Sequence, residues 1–162
     1  MGHHSAHRLE RDPGAEHAAG TPEMTRTLSN DGRMSNRKSI EVDGLQHGDN
    51  PIPLASRVGN VVMTGGVGGS DPVTGKAPDD EAAQVANAFK NIERILEAAG
   101  ASMDDVVKVS IAVKSLALRD EINKQWVGYF PDEHSRPARH VTQYDHFRRN
   151  VVIQLEAYAV VG

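Results

Sequence analysis

From Asp80 to Ala99 the apolar residues Val85, Phe89, Ile92, Ile95, Leu96 and Ala99 recur at intervals of three and four. Acidic residues open the run and Gly100 closes it, so the spacing predicts an amphipathic helix with one buried face. The period then changes to two: Val107, Val109, Ile111 and Val113 alternate with Lys108, Ser110, Ala112 and Lys114, the pattern of a strand. A second helix is expected over about Leu118 to Phe130, burying Ile122, Trp126, Tyr129 and Phe130 before Pro131 stops it. Ala138 to Tyr144 and Val151 to Val161 read as closing strands, joined by a polar turn at Asp145 to Asn150. Upstream, Ser39 to Val42 reads as a short strand followed by an Asp43-Gly44 turn, and Ser56 to Thr64 as two strand segments divided at Gly59-Asn60. The resulting order, β-β-β-α-β-α-β-β, defines an α+β domain with a mixed sheet of five to six strands.

Two helices cover one face of such a sheet and leave the other bare. The closing strand is apolar on both sides: Val151, Ile153, Leu155, Ala157 and Ala159 alternate with Val152, Gln154, Glu156, Tyr158 and Val160. The second set is not a purely solvent-facing one, so the uncovered face is expected to pack against other copies of the chain.

At 162 residues, 38% apolar and 25% charged, the chain has the size and composition of one globular domain. Residues 1–37 stand apart, rich in Gly, Pro, Ser, Ala and His and without apolar periodicity, and are expected to form a disordered tail before a domain at 38–162. Within this tail Arg8, Arg11, Arg26, Arg33 and Arg37 balance Glu10, Asp12, Glu16, Glu23 and Asp31, so the net charge of -4 belongs to the domain. An acidic domain without clustered Lys and Arg argues against nucleic acid as a partner. The absence of a long apolar run or a signal-like N-terminus argues against a membrane, and a cytoplasmic location is expected. With no cysteine, disulfides, thiolate ligands and a Cys nucleophile are excluded.

Gly65, Gly66, Gly68 and Gly69 follow a strand, but Ser70 and Ala77 around Gly75-Lys76 break Walker A spacing, so the segment reads as a tight loop and not a phosphate cradle. His3, His4 and His7 lie on the unpatterned tail, where a metal site is not preorganised. His134, His140 and His146 are six apart, which suits neither helical nor strand ligand geometry. No metal or cofactor is expected.

The stretches Arg57-Val58-Gly59-Asn60, Asp71-Pro72-Val73-Thr74-Gly75, the run from Leu96 to Lys108, Arg136-Pro137-Ala138-Arg139 and the run from Leu155 to Val160 together resemble the RidA (reactive intermediate deaminase, YjgF) family. The resemblance covers about Pro51 to Gly162. It implies a chorismate-mutase-like α+β fold and a homotrimer with clefts between subunits. It also implies hydrolysis of enamines and imines to a keto acid and ammonia, without metal or cofactor. By this resemblance Arg139 is the carboxylate-binding arginine, the Val141 N–H completes its grip, and Asn123 lies in the same cleft. A planar guanidinium holds a carboxylate through two parallel charge-assisted hydrogen bonds, which Lys cannot do.

Two departures matter. Where the family has a cleft tyrosine, this chain has Ile52; where deaminating members place a water with a glutamate, it has Gln154. A neutral amide can hold a water but cannot take its proton near neutral pH. Hydrolysis would then lean on an electrophilic iminium, on the substrate itself or on Glu156, which is equally read as a paired structural carboxylate. The leading expectation is a deaminase of small carboxylate-bearing imino acids, or of an aminomuconate-like ring-cleavage product. The alternatives are a non-catalytic small-carboxylate sensor of the same fold and, less favoured in an acidic domain, a ribonuclease or translation inhibitor.

Overall fold

The computed structural model describes residues 35–162. Its elements are β1 (Arg37–Ile40), β2 (Ala55–Val58), β3 (Val61–Thr64), β4 (Val67–Gly68), α1 (Glu81–Ala98), β5 (Val106–Val113), α2 (Arg119–Tyr129), β6 (Ala138–Gln143) and β7 (Ile153–Val160). The sheet runs β1-β2-β3-β7-β5-β6, with β4 also paired to β7. All pairs are antiparallel except β5 with β6, which the α2 crossover makes parallel. The last strand in sequence is thus central in space, bonded to β3, β4 and β5.

The sheet has seven strands where five to six were expected, because β4 is a two-residue strand inside the glycine segment that was read as loop. The first strand begins at Arg37, one residue before the expected domain start; most of the expected tail lies outside the described residues. β7 is shorter than the alternation suggested: Val151 and Val152 precede it, and Val152 is buried, not on the open face.

Helix α1 forms where the three-four spacing placed it. Asp80 caps its start by accepting from the Ala82 N–H at 3.1 Å. Gly100, at φ 72°, turns the chain out so that the Gly100 and Ala101 N–H groups bond the Glu97 and Leu96 carbonyls, a Schellman ending. Arg57 of β2 adds donors to the Ala99 carbonyl at 2.7 Å and the Gly100 carbonyl at 3.2 Å, placing a cation at the negative end of the helix. The buried stripe Val85, Ala88, Phe89, Ile92, Ile95 and Leu96 packs against Ile153, Leu155, Ala157 and Ala159 of β7 and Val109, Ile111 and Val113 of β5, making a single core.

Two polar residues of α1 are buried in this core, Gln84 and Asn91, and both bond the backbone of neighbouring segments. Asn91 donates to the carbonyls of Gly68 (3.1 Å) and Ser70 (2.9 Å). Gln84 donates to the carbonyls of Pro78 (2.7 Å) and Asn150 (2.8 Å) and accepts from the Val152 N–H (3.1 Å). Gly69 passes so close to the Gln84 backbone that any Cβ there would collide with it. This explains Gly69 without a phosphate: it lets the chain lie against a helix.

The opposite face is uncovered. Val58, Val61 and Val160 stand in register across β2, β3 and β7, and with Met63 they form an apolar patch in which every side chain is more than a third exposed. No helix among the described residues is long and apolar enough to cross a membrane.

Replacing Gln84 by Leu keeps the volume but strips two carbonyls and one N–H of partners. The variant is expected to lose about 2–3 kcal/mol of stability, read as a lower urea midpoint.

Candidate functional site

The pleat of the sheet decides which residues can meet. Arg139 pairs with Val109, and Val109 with Ala157, both buried, so Arg139 and Val141 project to the helix side. Thr142 pairs with Ala112 and Ala112 with Gln154, so Gln154 projects to the open side, as do Glu156 opposite Ser110 and His140 next to the same serine.

On the helix side, β6 forms the edge of the sheet and α2 lies over it. Between them is a cleft of about 250 Å3 lined by Val113, Ser115, Leu116, Arg119, Ile122, Asn123, Arg139 and Val141. The Arg139 guanidinium stacks over the Trp126 ring, 4.8 Å from its centroid, and donates from Nη2 to Asn123 Oδ1 at 2.9 Å. Because a guanidinium has no acceptor, the amide oxygen of Asn123 must face it, which leaves the amide NH2 as a further donor. Partial burial, and secondarily the nearby Arg119 charge, push the Arg139 pKa below its ordinary value. Among the described residues neither guanidinium forms an ion pair with a carboxylate. Arg139, Asn123 and Val141 therefore come together as expected, in a cleft that offers cationic donors and apolar walls to an anion.

The other expected site residues lie elsewhere in the chain. Gln154 and Glu156 line a shallow hollow of about 140 Å3 on the open face with Ser110, Ile111, Ala112 and Thr142. Glu156 accepts from the Tyr158 hydroxyl at 3.1 Å. The Gln154 carboxamide lies directly over Gly66, where a Cβ would overlap it. Ile52 is half exposed in the loop after β1, in a third hollow with His47, Asn50, Pro51 and Pro53. His47 Nε2 is buried there without a hydrogen-bond partner, against Gly65. Within one chain, Arg139 and Gln154 are thus separated by the sheet. No group of three or more His, Asp or Glu side chains that could hold a metal occurs among the described residues.

Three contributors lie outside the sequence-based expectation: Arg119 and Trp126, on either side of the expected Asn123, and Gly66 beneath Gln154. Arg119, Asn123 and Trp126 are spaced four and three apart on α2, which puts all three on one helix face toward Arg139. That spacing is visible in the sequence, where the helical pattern assigns Trp126 to the core alone. Gly66 had no sequence signal separating it from its neighbouring glycines.

A small seven-stranded α+β domain with a cationic cleft at the parallel edge is a definite class, and the comparisons assign it. Residues 52–161 match the sequence profile of the family described as Endoribonuclease L-PSP, and the chain belongs to this family, that of the RidA and YjgF proteins. Its relatives include the 2-iminobutanoate/2-iminopropanoate deaminase of Escherichia coli K12, 31% identical over 76% of this chain and 97% of that protein. Solved structures of the same fold include RidA from an Antarctic Psychrobacter species, 29% identical with a TM-score of 0.70 over 76% of this chain and 99% of that one. Another is Escherichia coli TdcF with bound serine, 27% identical with a TM-score of 0.70 over 77% and 99%.

Because the atoms nearest to a Cβ at position 66 all belong to the Gln154 side chain, Gly66→Ala is expected to keep the fold and move the amide. The side-chain NH2 resonances of Gln154 should shift while the thermal midpoint stays within a few degrees.

Proposed function

We propose that the protein hydrolyses small carboxylate-bearing enamines or imines to the 2-oxo acid and ammonia, and that it does so as a homotrimer. The observation that carries this reading is the Arg139 guanidinium, stacked on Trp126, bonded to Asn123 and without a carboxylate partner of its own. The Escherichia coli relative named for two such imino acids and the serine-bound TdcF support a small carboxylate as the ligand.

In the reaction water adds to the carbon of the C=N bond, a proton passes to nitrogen, the C–N bond breaks, and ammonia leaves a carbonyl behind. Arg139, Asn123 and the β6 backbone at Val141 hold the carboxylate next to that carbon, which fixes its orientation and reduces its entropy of encounter with water. Gln154 lies on the opposite face of the sheet, so it reaches a ligand bound by Arg139 only when a neighbouring copy presents its open face to the cleft. The bare Val58, Val61, Met63 and Val160 patch on that face gives copies a reason to associate. Ile52 closes the assembled site with apolar surface.

Gln154 also favours a second reading, a carboxylate sensor without turnover, since its amide positions water but accepts no proton. A protonated imine is already electrophilic, so a positioned water suffices for the first reading.

Ammonia release from freshly generated 2-iminobutyrate separates the two. The wild type should accelerate it over buffer, Arg139→Ala should lower kcat/KM about 100-fold through loss of a charged bidentate contact, and Gln154→Glu should raise or keep kcat. Binding of 2-oxobutyrate with no turnover, restored by Gln154→Glu, would select the sensor instead. In sedimentation the protein is expected to run as three chains of 17.5 kDa, and Val160→Glu, placing a charge on the patch, should shift it toward the single chain.

A further inference from the structure

Arg119 stands in the same cleft as Arg139, on the first turn of α2. Nothing local accounts for it there. A cation at a helix N-terminus opposes the helix dipole, and the acids that suit that position, Asp120 and Glu121, already follow it. The residues three and four away on either side, Leu116, Ser115, Ile122 and Asn123, include no acid, so no intrahelical ion pair holds the side chain. Across the cleft its neighbour is another guanidinium, and the two like charges repel. Two cations facing one hollow without an intervening carboxylate are most stable when the hollow contains negative charge to match. Between them the walls are apolar, from Val113, Ile122 and Val141.

We infer that the cleft takes a ligand with two carboxylates joined by a short carbon chain, Arg139 and Asn123 holding one and Arg119 the other. As to reaction, this rests on the deaminase reading above, and the substrate class becomes dicarboxylic imino acids, with the first carboxylate adjacent to the imine carbon. Ligand binding itself does not depend on that reading. The chain skeleton lies along the apolar walls, and its length is set by the gap between the two guanidiniums.

The test uses stable oxo acids for binding and the corresponding imino acids for turnover, with wild type, Arg119→Gln and Arg119→Lys, each verified as the wild-type oligomer by sedimentation. By calorimetry the wild type is expected to bind 2-oxoglutarate about 10- to 100-fold more tightly than 2-oxobutyrate, the worth of one charge-assisted contact. That preference should fall to about threefold or less in Arg119→Gln and largely return in Arg119→Lys. Equal affinity for the two oxo acids in the wild type, a preference that survives Arg119→Gln, tighter binding of phosphoenolpyruvate than of 2-oxoglutarate, or no binding at all would each overturn it. Ammonia release from 2-iminoglutarate and 2-iminobutyrate keeps the two readings apart. Faster hydrolysis of both with no preference overturns the dicarboxylate assignment and leaves the deaminase standing. An Arg119-dependent binding preference with neither imine accelerated does the reverse.

Discussion

The pleat of the central sheet is the constraint on which the functional account depends. Successive residues of a strand face opposite ways, so the register of β5, β6 and β7 fixes Arg139 on the helix side and Gln154 on the bare side. A shift of one residue in any of these pairings would exchange the two. In the proposed reaction anion recognition and water placement therefore fall on different surfaces of a single chain, and an active centre that needs both would be built where two chains adjoin. In that proposal the exposed apolar residues of β2, β3 and β7 serve the chemistry too, as the surface on which copies associate.

The helices legible in the sequence are those in which burial is one-sided and uninterrupted. Val85 to Ala99 gave α1 to within a residue at each end, because Asp80 and Gly100 mark its limits by capping chemistry and not by composition. The strands β5, β6 and β7 were legible from their alternation, and so was the bare face, from the apolar residues on the wrong side of β7. The small strand β4 was not, since Val67-Gly68 is held by its pairing with β7 and by the Asn91 bond to the Gly68 carbonyl, tertiary effects with no local pattern. The same applies to Val152, which is buried in the core and bonded to Gln84 of another element, outside the strand alternation.

The site divides along the same line. Arg139, Asn123 and Val141, which the resemblance implied, lie together; Ile52, Gln154 and Glu156, implied in the same way, lie away from that cleft, which no one-dimensional pattern could reveal. Arg119 was overlooked because a charged residue at the start of a surface helix is ordinarily solvated. Its meaning appears only when β6 brings a second guanidinium to the same hollow. Other residues of the resemblance turn out to be structural: Arg57 closes the end of α1, and Gly100 permits the turn that leaves it.

The fasteners of the interior are all carboxamides. Gln84 and Asn91 are the buried polar residues of the described chain, and neither gains or loses a proton across the physiological range. The bonds these two side chains make between α1, the glycine segment and the start of β7 consequently carry no titrating group of their own. Protonation cannot undo these carboxamide bonds themselves, which tie α1 to the glycine segment and to the start of β7.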